Sequence, residues 1–142
     1  MVDAVLVAQS HNPAGAVRAV KQLSVYVAAP DWSTTLPAYA RCVRITRDQA
    51  QVYPVDPAAL ADAAEQALYA ALLKAESAVR SASSLDGCMQ AFLPVIPAIN
   101  HFFEAVMVMS YDPAVRSNRL GMLQRIAALP QGVADLSKLE GF

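Results

Sequence analysis

The chain has 142 residues, 56% of them hydrophobic, with a formal net charge of -1 and two cysteines, Cys42 and Cys88. A length of this order fits one domain able to bury about two thirds of its unfolded surface around one core. Near-neutrality excludes a protein that coats nucleic acid through its overall field, so any RNA contact must come from a local patch. The uncharged run from 87 to 103 is interrupted by Gln90, Pro94, Pro97, Asn100 and His101 and is no transmembrane helix. The opening MVDAVLVAQSHNP has Asp3 where a signal peptide would carry basic residues, so no leader is expected. Neither cysteine belongs to a C-x-x-C pair, and two buried free thiols are expected.

Apolar positions recur at helical spacing almost throughout, with proline and aspartate between the periodic segments, so the pattern predicts an all-α bundle of about six helices in one domain, 1–142. A short apolar segment over 2–8 ends in the turn-like Ser10-His11-Asn12-Pro13. Asn12 then caps a helix over 13–27, with Pro13 at its first position, where a missing N–H costs nothing. Asp31 is the next expected cap, and Trp32, Leu36, Tyr39 and Val43 form one stripe of a helix reaching about Arg47. QVYPVDPAAL reads as an extended link whose Asp56-Pro57 caps a long helix with Leu60, Ala64, Ala67, Leu68, Ala71, Leu72, Ala75 and Val79 on its apolar face. A polar loop at 81–84 follows. A helix over 85–92 is then broken by Pro94 and Pro97, beyond which Ile99, Phe102, Phe103, Val106 and Met107 make a helical stripe. Asp112-Pro113 repeats the cap-plus-proline device for a helix ending before Pro130, and 131–137 is expected to add a last helical turn or two.

Phosphate-binding glycine loops, dinucleotide fingerprints and H-E-x-x-H are absent from the sequence, and no catalytic residue or metal ligand is assigned. His11 and His101 lack acidic or cysteine partners at ligand spacing and read as surface or packing histidines. Asp62, Glu65 and Glu76 read as charges of a solvated helix face, and the methionines as core filling.

The arginines are more informative. Advancing about 100° per residue from Arg41 puts Arg44 at roughly 300° and Arg47 at roughly 240°, while the stripe of Trp32, Leu36, Tyr39 and Val43 centres near about 190°. Arg41 and Arg44 therefore face outward, Arg47 lies at the stripe's edge, and the three make a positive ridge suited to phosphates or unstacked bases. On the helix after Asp112, counted from Val115, Met122, Ile126 and Leu129 fall within about 40° of it and Arg119 also lands near about 40°, inside the apolar face. A guanidinium there requires a carboxylate, and Asp135, Asp112 and Glu104 are the candidates, with an Arg119–Asp135 pair favoured. Arg116 and Arg125 flank the stripe and are expected to be free for a ligand, and Asn118 is placed to hydrogen-bond a base edge.

The run FFEAVMVMSYDPAVRSNRLGMLQRI followed by VADLSKL strongly resembles the C-terminal end of the beta subunit of bacterial two-subunit glycyl-tRNA synthetase. The likeness rests on Phe102-Phe103, the V-M-V-M step ending at Met109, Asp112, the R-x-N-R-L of Arg116, Asn118, Arg119 and Leu120, and Val133-Ala134-Asp135. AYARCVRITRD is similar to that family's arginine-bearing helix and AAEQALYAAL to its E-x-A-L-Y segment. The resemblance implies a helical anticodon-binding fold of the D-A-L-R type, whose name-giving residues stand here as Asp112-Pro113-Ala114-Val115-Arg116.

It also implies a cytoplasmic domain of a longer beta chain that holds the anticodon arm of glycine tRNA beside the alpha subunit, with no DNA or membrane partner. No cofactor is implied for the domain itself, ATP and magnesium belonging to the separate catalytic subunit. On that implication Arg41, Arg44 and Arg47 contact the anticodon stem, with Arg116, Asn118 and Arg125 as a second group. The rival reading is a docking module that assembles a larger complex through an exposed apolar face and binds no RNA.

Overall fold

In the computed structural model, which describes every residue except Ser10, Ser83 and Gly132, the described residues form seven α-helices and three single 3-10 turns. The helices are α1 (Val2–Gln9), α2 (Pro13–Val27), α3 (Trp32–Thr46), α4 (Ala63–Ser81), α5 (Leu85–Phe92), α6 (Ile96–Ala105) and α7 (Pro113–Ala127). The expected turn at 10–13 and loop at 81–84 fall partly on Ser10 and Ser83, and the expected last turn over 131–137 includes Gly132; these three lie outside the described residues. Within the described part of that last segment, a 3-10 turn at Leu136–Lys138 is capped by Asp135, whose Oδ1 accepts from Ser137 N at 3.1 Å.

Local chemistry sets most of the helix starts. Asn12 Oδ1 accepts from Gly15 N at 3.1 Å, with Pro13 opening α2, and Asp112 Oδ1 accepts from Ala114 N at 2.9 Å, with Pro113 opening α7. Asp31 occupies the cap position of α3 without a side-chain cap bond, its carbonyl serving Thr34 and Thr35 instead. Asp56 and Pro57 start only a 3-10 turn, Pro57–Ala59; the long helix begins later, at a capping box. There Asp62 Oδ1 accepts from Ala64 N at 2.8 Å while Glu65 Oε1 accepts from Asp62 N at 3.1 Å. Pro94 falls in a 3-10 turn, Leu93–Val95, that joins α5 to α6, and Pro97 occupies the first turn of α6. That helix stops at Ala105, because Val106 turns to extended backbone (φ -131°, ψ 152°), so Met107 is not part of its stripe.

The core is one connected cluster built around α7. Four consecutive residues of that helix, Leu120, Gly121, Met122 and Leu123, are buried, so it is enclosed on several sides rather than along one stripe. It packs on α3 and α4, and the link over 51–56 runs along it. The fit of that link depends on Gly121, since a Cβ there would lie 2.6 Å from Tyr53 O. Gln124 secures the same stretch, its Oε1 accepting from Tyr53 N at 2.9 Å and its Nε2 donating to Gln51 O at 2.9 Å.

Candidate nucleic-acid interface

The outer face of α3 carries the ridge expected from the arginine spacing. Arg41, Arg44 and Arg47 are all exposed, and among the described residues none has a carboxylate within 4.0 Å. Two of the three are held over aromatic rings. Arg41 Cζ stands 4.1 Å from the centroid of Phe103 on α6, and Arg44 Cζ stands 5.6 Å from that of Phe142. Arg47 is the C-cap, its backbone N–H donating to Val43 O at 2.9 Å, so its charge sits at the negative end of the helix dipole.

The α7 group is arranged differently from its expected form. Asn118 does not present its amide to a ligand: it is buried, its Oδ1 accepts from Asp56 N at 2.7 Å and its Nδ2 donates to Asp56 O at 3.0 Å. It reads the backbone of the 51–56 link, with both ends of the amide occupied. The cause is the enclosure of α7, which leaves no solvated flank at that position. Arg125 is not free either: its guanidinium grips Glu76 of α4, Nε donating to Oε2 at 2.9 Å and Nη2 to Oε1, with the Tyr69 ring 5.7 Å away. The hydrogen bond to Glu76 raises the pKa of Arg125.

Arg119 is held in an ion pair, but with Glu65 and not with Asp135. Its Nε donates to Glu65 Oε2 at 3.0 Å and its Nη1 to Met107 O at 2.6 Å, while Asp135 is used in its own 3-10 turn. Glu65 is 4% exposed, so this carboxylate and the half-buried Glu76 are inward anchors rather than charges of a solvated face. Arg116 is half-buried, and its Nη1 donates to Ser110 O at 3.3 Å.

Arg41, Arg44 and Arg47 are therefore gathered on one helix face, while Asn118, Arg119 and Arg125 hold α7 to its neighbours. Sequence reasoning missed Glu65 as the partner, and it missed the exposed side chains of the segment between α6 and α7. There Met107 is 65% exposed, Met109 49% and Tyr111 95%, whereas Val108 between them is buried. The signal was present in the two-residue alternation of V-M-V-M, a strand-like period inside an otherwise helical pattern.

Residues 35–134 match the model of the DALR anticodon binding domain. Over 99% of its length the chain is 38% identical to the glycine–tRNA ligase beta subunit of Anaeromyxobacter sp. (strain K), and 34% identical to that of Myxococcus xanthus (strain DK1622). Over 98% of its length it is 32% identical to the glycine–tRNA ligase beta subunit of Moorella thermoacetica. The chain spans 21% of the length of the first two of these relatives and 20% of the third. The match over 35–134 takes in every helix from the α3 ridge to α7, and on it the chain belongs to the DALR anticodon-binding domain family.

Proposed function

We propose that this domain grips the anticodon arm of glycine tRNA within a glycine–tRNA ligase beta chain, leaving ATP-dependent glycine activation to a separate alpha subunit that holds ATP and magnesium. The setting is the cytoplasm, and the remainder of the beta chain is the immediate neighbour. The observation that carries this reading is the α3 ridge, three exposed guanidiniums on one face with no carboxylate within 4.0 Å among the described residues. Arginine suits the task because its planar fork grips phosphate in two places and stacks on an unpaired base. The family match supplies the class of ligand and the beta-subunit relatives supply the amino acid.

Titration of the chain with glycine tRNA and with an anticodon-altered tRNA tests the proposal. The intact tRNA is expected to bind more tightly, and log affinity to fall with log salt at about -0.7 per single-strand phosphate neutralised. Replacing Arg41 and Arg44 by glutamine is expected to flatten that dependence by about one and a half units, while Lys74→Gln on the exposed face of α4 leaves it nearly unchanged. A salt-independent affinity, or equal effects of the two sets, would refute the ridge. The docking reading draws on a separate feature, an exposed apolar groove between α1 and α2 lined by Val2, Leu6, Val17 and Val20. Self-association without RNA binding would favour it.

A further inference from the structure

The segment over 106–112 is built as an outward edge. Burial alternates along it, with Val108 anchored in the core and Met107, Met109 and Tyr111 turned to solvent. Two guanidiniums brace it from behind, Arg119 Nη1 on Met107 O at 2.6 Å and Arg116 Nη1 on Ser110 O at 3.3 Å. Its far end is fixed where Asp112 caps α7 and donates its own N–H to Ser110 Oγ at 3.3 Å. An exposed segment of three large apolar side chains carries a solvation penalty that ordinary loops avoid. Here it is nevertheless held in place by two charged side chains.

We propose that this braced segment is a base-stacking edge for unpaired nucleotides of the RNA loop, with Tyr111 as the stacking ring and Met107 and Met109 as flanking apolar contacts. The inference rests on the RNA-binding reading above and adds the residues that touch bases. Three observations choose RNA over a protein partner. The segment lies inside the 35–134 stretch that matches an anticodon-binding model, whereas the apolar groove of α1 and α2 lies outside it. It is continuous with the cationic ridge: Phe103, under the Arg41 guanidinium, is four residues from Met107, a span of at most about 14 Å. And Tyr111, 95% exposed as a residue, offers a π-face to a base, the sequence-tolerant contact by which proteins hold unstacked nucleotides. In this arrangement Arg116 and Arg119 are positioning residues, and the phosphates are left to Arg41, Arg44 and Arg47.

The test uses the full chain and a glycine-tRNA anticodon stem-loop with 2-aminopurine in the loop, read by affinity at several salt concentrations and by the fluorescence of the probe. Tyr111→Ala is expected to weaken binding by about tenfold or more, the usual loss when a stacking aromatic is truncated, with the salt slope unchanged. Tyr111→Phe retains most of the affinity and the fluorescence response. Arg116→Met diminishes the response while the slope stays within the spread of the native chain. A slope flattened by about 0.7 would put Arg116 on a phosphate and overturn the bracing role. If Tyr111→Ala binds like the native chain while Arg41→Gln and Arg44→Gln weaken it, the stacking edge is wrong and the RNA-binding reading stands. If the native chain binds no stem-loop and Tyr111→Ala instead abolishes self-association in sedimentation, both are overturned and the edge belongs to a protein interface.

Discussion

Replacing Arg119 by methionine is the sharpest test of how α7 is held. The substitution keeps most of the aliphatic stem but removes the charge facing Glu65, whose side chain is 5% exposed against 14% for Arg119. Glu65 cannot turn to water, because its other oxygen accepts from Asp62 N in the capping box of α4. Removing one partner of a buried pair costs about 3–5 kcal/mol, since the remaining charge stays desolvated. Loss of the bond to Met107 O adds about 1 kcal/mol. A total near 5 kcal/mol is a large part of the about 5–15 kcal/mol that typically holds a domain together. Urea unfolding followed by far-UV circular dichroism would show it as a midpoint lowered by about 2.5 M, for a slope of about 2 kcal/mol/M.

The double variant Arg119→Met/Glu65→Gln gives the reasoning its sign. Glutamine keeps an oxygen for Asp62 N and removes the stranded charge, so the double is expected to be more stable than Arg119→Met alone by about 1–2 kcal/mol. A single variant that loses less than about 1 kcal/mol, the value of a surface pair, would refute the argument, as would a double variant less stable than the single.

Other consequences follow from the packing and from the buried ionisable groups. Gly121→Ala forces a Cβ to 2.6 Å from Tyr53 O, and the displaced 51–56 link is expected to cost about 1–3 kcal/mol in the same urea assay. Burial pushes the thiols of Cys42 and Cys88 up to about 12 and about 11, so neither is expected to react with a disulfide reagent at pH 8 until denaturant is added. Burial, reinforced by the hydrogen bond to Asp86, raises Tyr26 from 10.0 to about 12, and burial raises Tyr39 as well. Both favour the neutral phenol in the folded state, and for Tyr26 that contribution is complete below pH 10 and lost as pH climbs through 12. Thermal melts between those limits should fall less steeply for Tyr26→Phe than for the native chain.

Periodicity and punctuation made most of the helices readable, because Asn12-Pro13 and Asp112-Pro113 act through purely local hydrogen bonds. Asp56-Pro57 sent the same local signal and started only a 3-10 turn, since the Asp62–Glu65 box five residues on offers two reciprocal bonds where Asp56 offers one. The α3 ridge was legible for a similar reason: an outward face is set by angle alone. The roles of Asn118 and Arg125 were not, because they depend on which elements surround α7. A helical wheel describes one helix against one core. Here α4 supplies Glu65 and Glu76 on one side and the 51–56 link supplies its backbone on another, and neither is visible from the spacing within α7.

The fates of the arginines have one physical origin. Where α7 meets α4, Arg119 and Arg125 give up both charge and donors to Glu65 and Glu76, the first of these pairs in surroundings dry enough that the guanidinium needs a carboxylate. On α3 the partners are rings. A ring face attracts a guanidinium by about 0.5–1 kcal/mol at an exposed site, yet it accepts none of its in-plane N–H groups and cancels none of its charge. Arg41 over Phe103 and Arg44 over Phe142 are thereby restricted without being neutralised. On the RNA-binding reading proposed above, less conformational entropy is then lost when a phosphate arrives, and no carboxylate has to be displaced first. A chain with a net charge of -1 can in this way still present a local cationic surface. The choice of aromatic over acidic neighbours along α3 decides that, more than the number of arginines.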